Sequence, residues 1–175
     1  MNVLHISTAD NYGGAAKAAY RLIQGLKPLG VHCKMLVAQK HEHADPDVDV
    51  IPRTQSRLQK LYVKSIAKLE TWTGLQYLLQ TWRTQFLSHP FFQNADLVHF
   101  HNIHSNFFPL RLAHEMARIK PIVWTCHDQW PMTGHCAYSG GCERWREGCG
   151  SCPDLATYPP LPFDTTRFLF RQKDR

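Results

Sequence analysis

Residues 3–38 constrain the fold more tightly than any other part of the chain. Residues 3–7 are a short β-prone run that breaks into Thr8-Ala9-Asp10-Asn11-Tyr12-Gly13-Gly14. An alanine-rich stretch over 15–26 follows, with apolar side chains at Ala15, Ala18, Ala19, Leu22, Ile23 and Leu26. Recurrence at three- and four-residue steps predicts a helix, and Pro28 and Gly30 stop it. Residues 31–38 supply a second strand. Two strands separated by a helix lie parallel, joined by a right-handed crossover. A parallel sheet needs cover on both faces, so the rest of the chain must provide further strands and helices.

Residues 96–101 and 121–125 read as two more strands. Helices are expected over 56–82, with a break at Gly74, and over 109–118; residues 41–54 read as a polar surface connection. Strands alternating with helices predict an α/β fold, a Rossmann-like doubly wound parallel sheet. A chain of 175 residues, 43% hydrophobic, suffices for one such domain over 1–175 and is too short for two large ones. No run approaches the roughly 20 apolar residues of a membrane-spanning helix. The opening Met1-Asn2-Val3-Leu4-His5-Ile6 leads into polar residues rather than a signal-peptide core, so a cytoplasmic location is expected. A formal charge of +6 and a pI near 9.1 favour polyanions: nucleotide sugars, anionic headgroups or nucleic acid. The basic residues form no dense block interleaved with aromatics, so nucleic acid is not an expected partner.

Ligands of parallel α/β sheets bind beyond the carboxyl ends of the strands, so the exits at 8–14, 101–107 and 126–133 should share one rim. Gly13 and Gly14 carry no side chains, which lets a phosphate approach the backbone at a helix start; they equally suit a tight turn. In His99-Phe100-His101-Asn102-Ile103-His104, alternation puts His99 and His101 on one face of the sheet. His99, inside the strand, reads as a core histidine, whereas His101, Asn102 and His104 lie at the exit as substrate-binding candidates. His127 and Asp128 are the catalytic candidates. An imidazole can bond a hydroxyl or take its proton, and a carboxylate can accept a sugar hydroxyl or shape a turn. As neighbours on an extended backbone they point apart, so they should not form a dyad.

Cys136, Cys142, Cys149 and Cys152 crowd a glycine- and proline-rich loop over 129–160. The Cys149-Gly150-Ser151-Cys152 knuckle has the spacing of a zinc site, and Cys136 and Cys142 can complete the shell, with His135 as a substitute. Structural zinc is the expected cofactor; free thiols, an iron–sulfur cluster and disulfides are the alternatives. A redox role for Cys149 and Cys152 suits the pattern less, because they do not open a helix after a strand. Cys33 and Cys126, in strand-like runs, are expected to be buried fillers. Along 57–82, Arg57, Lys60, Lys64 and Lys68 flank an apolar stripe of Leu58, Leu61, Tyr62, Ser65, Ile66, Leu69 and Trp72, with Trp82 beyond. Such a helix either packs on the sheet with a solvated outer face or makes peripheral contact with anionic lipid.

The order of these motifs resembles the N-terminal half of retaining family-four glycosyltransferases, of the kind that build bacterial exopolysaccharide, colanic-acid-like or lipopolysaccharide chains. The Gly13-Gly14 loop, DLVHFHNIH at 96–104, PIVWTCHDQWPMTGHC at 121–136 and TYPPLPFDTTRFLFRQK at 157–173 carry it, over essentially the whole chain. The resemblance implies one half of the GT-B architecture, in which two Rossmann-like domains face each other across a cleft. The N-terminal half receives a glycan or lipid-linked acceptor; the C-terminal half holds the nucleotide-sugar donor and a pair of glutamates. It further implies that Gly13 and Gly14 line the donor phosphates across the cleft, and that His127 stands near the transferred sugar, stabilising an oxocarbenium-like transition state. Asp128, Asn102 and His101 would belong to the acceptor and sugar surroundings. The sequence ends at Arg175 in what reads as a helix leading toward that second half. Transfer by this chain without a donor-binding half, whether from the same gene or a separate chain, is therefore expected to be very low. A non-catalytic, metal-stabilised module that binds a glycan or a partner is the alternative reading.

Overall fold

The computed structural model describes residues 1–41, 45–52 and 56–174. Its centre is β1 (Asn2–Ala9), whose residues 3–7 are all buried, so both faces of this strand are covered. β2 (His32–Gln39) and β3 (Val48–Val50) lie on one side of it, and β4 (Leu97–Phe100) and β5 (Ile122–Trp124) on the other. All pairings are parallel, in the order β3-β2-β1-β4-β5, as the βαβ reading requires. This is a Rossmann-like α/β sheet.

Strand alternation sorts the core into two layers. Val3, Cys33, Met35, Val37 and Val48 point toward α1 (Gly14–Leu26) and meet Ala19 and Ile23. Leu4, Ile6, Leu36, Val98 and Phe100 point the other way, into a larger aromatic cluster with Phe86, Phe92, Phe107, Phe108 and Trp130. That second layer is covered by α2 (Arg57–Thr73), α3 (Arg83–Leu87), α4 (Pro90–Gln93) and α5 (Leu110–Ala117). The last helix, α6 (Thr166–Lys173), packs beside α5.

The structure corrects four sequence expectations. The connection over 41–54 contains the edge strand β3, too short and too interrupted by aspartates to show a β pattern; positions 42–44 and 53–54 lie outside the described residues. The helix expected over 56–82 breaks at Gly74 as expected, φ 64°, but does not resume to residue 82: Glu70 folds the next turn back by accepting from Leu79 N at 2.7 Å. Trp82 therefore lies off the helix, buried, with its indole N–H donating to Phe107 O. Most of the apolar stripe of α2 does not pack on the core: Leu58, Leu61, Tyr62, Leu69 and Trp72 are exposed, and only Ile66, at the stripe's edge, meets the core together with Val63. Cys33 is buried as expected, but Cys126 is exposed because it follows the end of β5.

Candidate functional site

The rim above the carboxyl edge of the sheet is assembled by hydrogen bonds between strand exits. The hydroxyl of Thr8, at the end of β1, donates to Asn102 O at 3.0 Å and His104 O at 3.1 Å, which fixes the loop after β4 against it. Asp10 is buried and accepts from His41 N at 2.9 Å, which ties in the loop after β2. The loop after β5 joins through two side-chain pairs. His101 Nδ1 lies 3.0 Å from His127 Nε2, and His104 Nε2 lies 2.9 Å from Asp128 Oδ2. His127 and Asp128 thus serve different partners, as their opposite directions require. Asp128 also accepts from Trp130 N at 2.9 Å, and His104 continues through Ser105 Oγ to the Tyr158 hydroxyl.

His127 is the outer end of a buried file of histidines. His5 Nδ1 lies 3.1 Å from His101 Nε2, and the rings of His5, His99 and His101 stack with centroids 4.3–5.4 Å apart. Burial, reinforced by the neighbouring histidines, pushes His5 and His101 down to about 3, so both are neutral at pH 7. His127 is lowered too, mainly by burial, against the pull of Asp128. Neutral imidazoles carry one N–H each, so the file has a direction. His5 Nε2 is buried without a partner, and an orphaned lone pair there is cheaper than an orphaned N–H. The proton therefore sits on His5 Nδ1 and donates to His101, which donates onward to His127 Nε2. His127 keeps its proton on Nδ1, as a hydrogen-bond donor. For Asp128, burial raises the carboxyl, but the bonds from His104 and Trp130 outweigh it and hold the acid below its ordinary range.

Among the sequence candidates, the structure brings His101, His104, His127 and Asp128 into these two pairs. His101 is 1% exposed, so it stands beneath His127 and reaches a ligand only through it. Asn102 joins through its carbonyl, and His99 is a core histidine bonded to Thr125 Oγ1 at 2.8 Å. Gly13 and Gly14 sit at the start of α1 on the same carboxyl side. A Cβ built on either would meet nothing within 4 Å, which leaves their backbone open to approach. Sequence reasoning missed His5, Ser105 and Tyr158. The opposition of His5 and His99 across β1 and β4 follows only from the strand register.

The four loop cysteines converge as well. Cys136, Cys142, Cys149 and Cys152, with His135, line one cavity of about 20 Å³. The loop is docked tightly on α6: a Cβ at Gly134 would stand 2.6 Å from Thr166 Cβ, and Gly150 N donates to Thr166 Oγ1 at 3.0 Å.

The sheet and its carboxyl-edge rim are those of a Rossmann-like α/β domain, and the chain belongs to Glycosyltransferase Family 4, whose family model matches residues 12–150. Over 84 residues it is 40% identical to a protein of Escherichia coli (strain K12) named as a colanic acid biosynthesis glycosyl transferase, WcaC. That match takes in 44% of this chain and 21% of the relative, so the chain spans about a fifth of the relative's length. No solved structure matches the chain. Among the described residues, no helix is long and apolar enough to cross a membrane.

Proposed function

We propose that this chain forms the acceptor-side half of a nucleotide-sugar-dependent glycosyltransferase that extends a cell-surface polysaccharide. The observation that carries this reading is the paired rim, His127 on His101 and Asp128 on His104. It offers a hydrogen-bond donor and a fixed anionic acceptor side by side, a combination that suits sugar hydroxyls. In the assembled enzyme, His127 Nδ1–H bonds the transferred sugar and stabilises charge as the donor bond breaks. Asp128, held ionised by His104, accepts from an acceptor hydroxyl. Asn102 lines the same groove, and the open backbone of Gly13 and Gly14 admits the donor phosphates. The donor itself is held by a second Rossmann-like half of GT-B type.

The test uses the 175-residue chain with oligosaccharide fragments of colanic acid, the polymer in the relative's name. NMR shifts at His104, His127 and Tyr158 on adding acceptor, with none on adding nucleotide sugar, are expected; tight nucleotide-sugar binding by this chain alone would reverse the assignment. Adding a donor-binding half should then restore transfer. Glycan binding that never leads to transfer would favour the non-catalytic module.

The same reading places the enzyme at the inner membrane surface, where lipid-linked acceptors reside. On α2, the exposed Leu58, Leu61, Leu69 and Trp72 share one side of the helix, bordered by Arg57, Lys60, Lys64 and Lys68. An apolar stripe beside a basic one suits anionic lipid. Vesicles containing phosphatidylglycerol should sediment the chain, and the Leu58→Glu/Trp72→Glu variant should stay in solution. Equal sedimentation of both would remove α2 from membrane contact.

A further inference from the structure

We propose that Cys136, Cys142, Cys149 and Cys152 bind one structural zinc ion as a tetrahedral tetrathiolate site. The sulfurs border a single cavity of about 20 Å³, room for one small occupant and no more. All four are free thiols. Their surroundings show why an ion is needed. From 138 to 158 no residue is buried, and one three-ten helix, Arg144–Glu147, is the only regular structure there. A segment of that length without a core of its own is held by something other than apolar burial.

The backbone is already shaped for the ion. Gly148, Cys149, Gly150 and Ser151 have φ values of 91°, 58°, 93° and 50°, four consecutive residues in the left-handed region. Two of them are not glycine, a conformation that persists only where the surroundings impose it. The turn brings Cys149 and Cys152 to the same cavity, and Gly134 N–H donates to Cys149 Sγ at 3.1 Å, the backbone bond a thiolate favours. His135 lines the same cavity. It is 1% exposed, its Nδ1–H donates to Pro159 O at 2.9 Å, and its Nε2 lies 3.4 Å from Cys152 Sγ. A carbonyl-locked histidine with a bare Nε2 toward the sulfurs is also the posture of a ligating histidine, so a cobalt(II) spectrum must decide the ligand count. Zinc with four thiolates carries a net double negative charge, and the Arg144 side chain lines the cavity to offset it.

Among the described residues, His5, His99 and His101 are the cluster that brings three ligand atoms within 4.8 Å of one another, so zinc at about 2.3 Å from each sulfur draws the cysteines inward. The histidine trio is the poorer holder despite its spacing. Two of its nitrogens are already turned on each other, His5 Nδ1 lying 3.1 Å from His101 Nε2. His101 and His99 also spend ring nitrogens on His5, His127 and Thr125.

The chain purified without chelator should carry about one equivalent of zinc. Of its six cysteines, the exposed Cys126 should react first with a thiol reagent, and chelation should release the four loop thiols together. Cobalt(II) in place of zinc should give the charge-transfer bands of four thiolates, and Cys149→Ser should lose them while His99→Gln keeps them. Under about half an equivalent of metal, with the loop thiols reactive from the start, overturns the site. So does a cobalt spectrum of three sulfurs and one nitrogen, which puts His135 in the shell, or metal that survives Cys149→Ser and is lost in His99→Gln. The cobalt spectrum of the unaltered chain decides the ligand set even if a cysteine variant does not fold. None of these readouts depends on sugar transfer.

Discussion

On the proposed reading, replacing His127 by alanine is expected to lower the turnover of the assembled enzyme by about a hundredfold, the usual cost of removing one donor aimed at developing charge. The loss should fall on kcat more than on acceptor KM, because in that role the Nδ1–H bond would strengthen as the glycosidic bond to the donor breaks. The histidine file makes a second, sharper expectation. His101 is buried beneath His127 and bonded to its Nε2, so His101→Phe should leave His127 in place and free its tautomer. Side-chain nitrogen NMR of the chain should show His127 protonated on Nδ1, and a shift toward Nε2 in that variant. Near-normal turnover in His127→Ala would remove this residue from the chemistry. An Nε2–H tautomer in the unaltered chain would instead turn its role from donor to acceptor.

The fold should also be lost steeply in weak acid. His5 and His101 are held at about 3 by burial first and then by the neighbouring His99, whereas in the unfolded chain a histidine titrates near about 6.5. A depressed folded value means the native state excludes the proton. Stability is complete above about pH 6.5 and is lost as the pH falls toward 3, as the unfolded chain takes up protons that the fold refuses. Each such histidine contributes a slope of about 1.4 kcal/mol per pH unit, so the pair should cost the fold about 2 kcal/mol between pH 6 and 5. Asp128 acts in the same direction but lower: its contribution is present above the ordinary carboxylate range and disappears as pH falls through its depressed folded value. Urea unfolding at pH 7, 6 and 5 measures the slope, and His5→Leu should reduce it by one proton. Equal stability at pH 7 and 5 would mean that water reaches the file.

Much of the sheet could be read from the chain because its strongest signals are local. The βαβ opening and the apolar runs of β4 and β5 need only residue spacing, and the carboxyl-edge rule then places His101, His104, His127 and Asp128 on one rim. What escaped depends on distant partners. β3 is three residues with an aspartate at its centre, and only pairing with β2 makes it a strand. The leucine-rich side of α2 is not the one that packs; Ile66, at its edge, and Val63, with the buried Glu70 beyond them, face inward instead. Which histidine meets which is likewise a matter of register. His5 became part of the site only because it lies opposite His99.

The length of the strands also bears on how the molecule behaves at high concentration. β1 and β2 run eight residues each and sit inside the sheet, while β3 and β5, at its two borders, are three residues each. A border that short presents few open N–H and C=O groups to a second molecule. Copies of this chain therefore have little to zip onto, and self-association by strand addition is designed out by where the long strands were put.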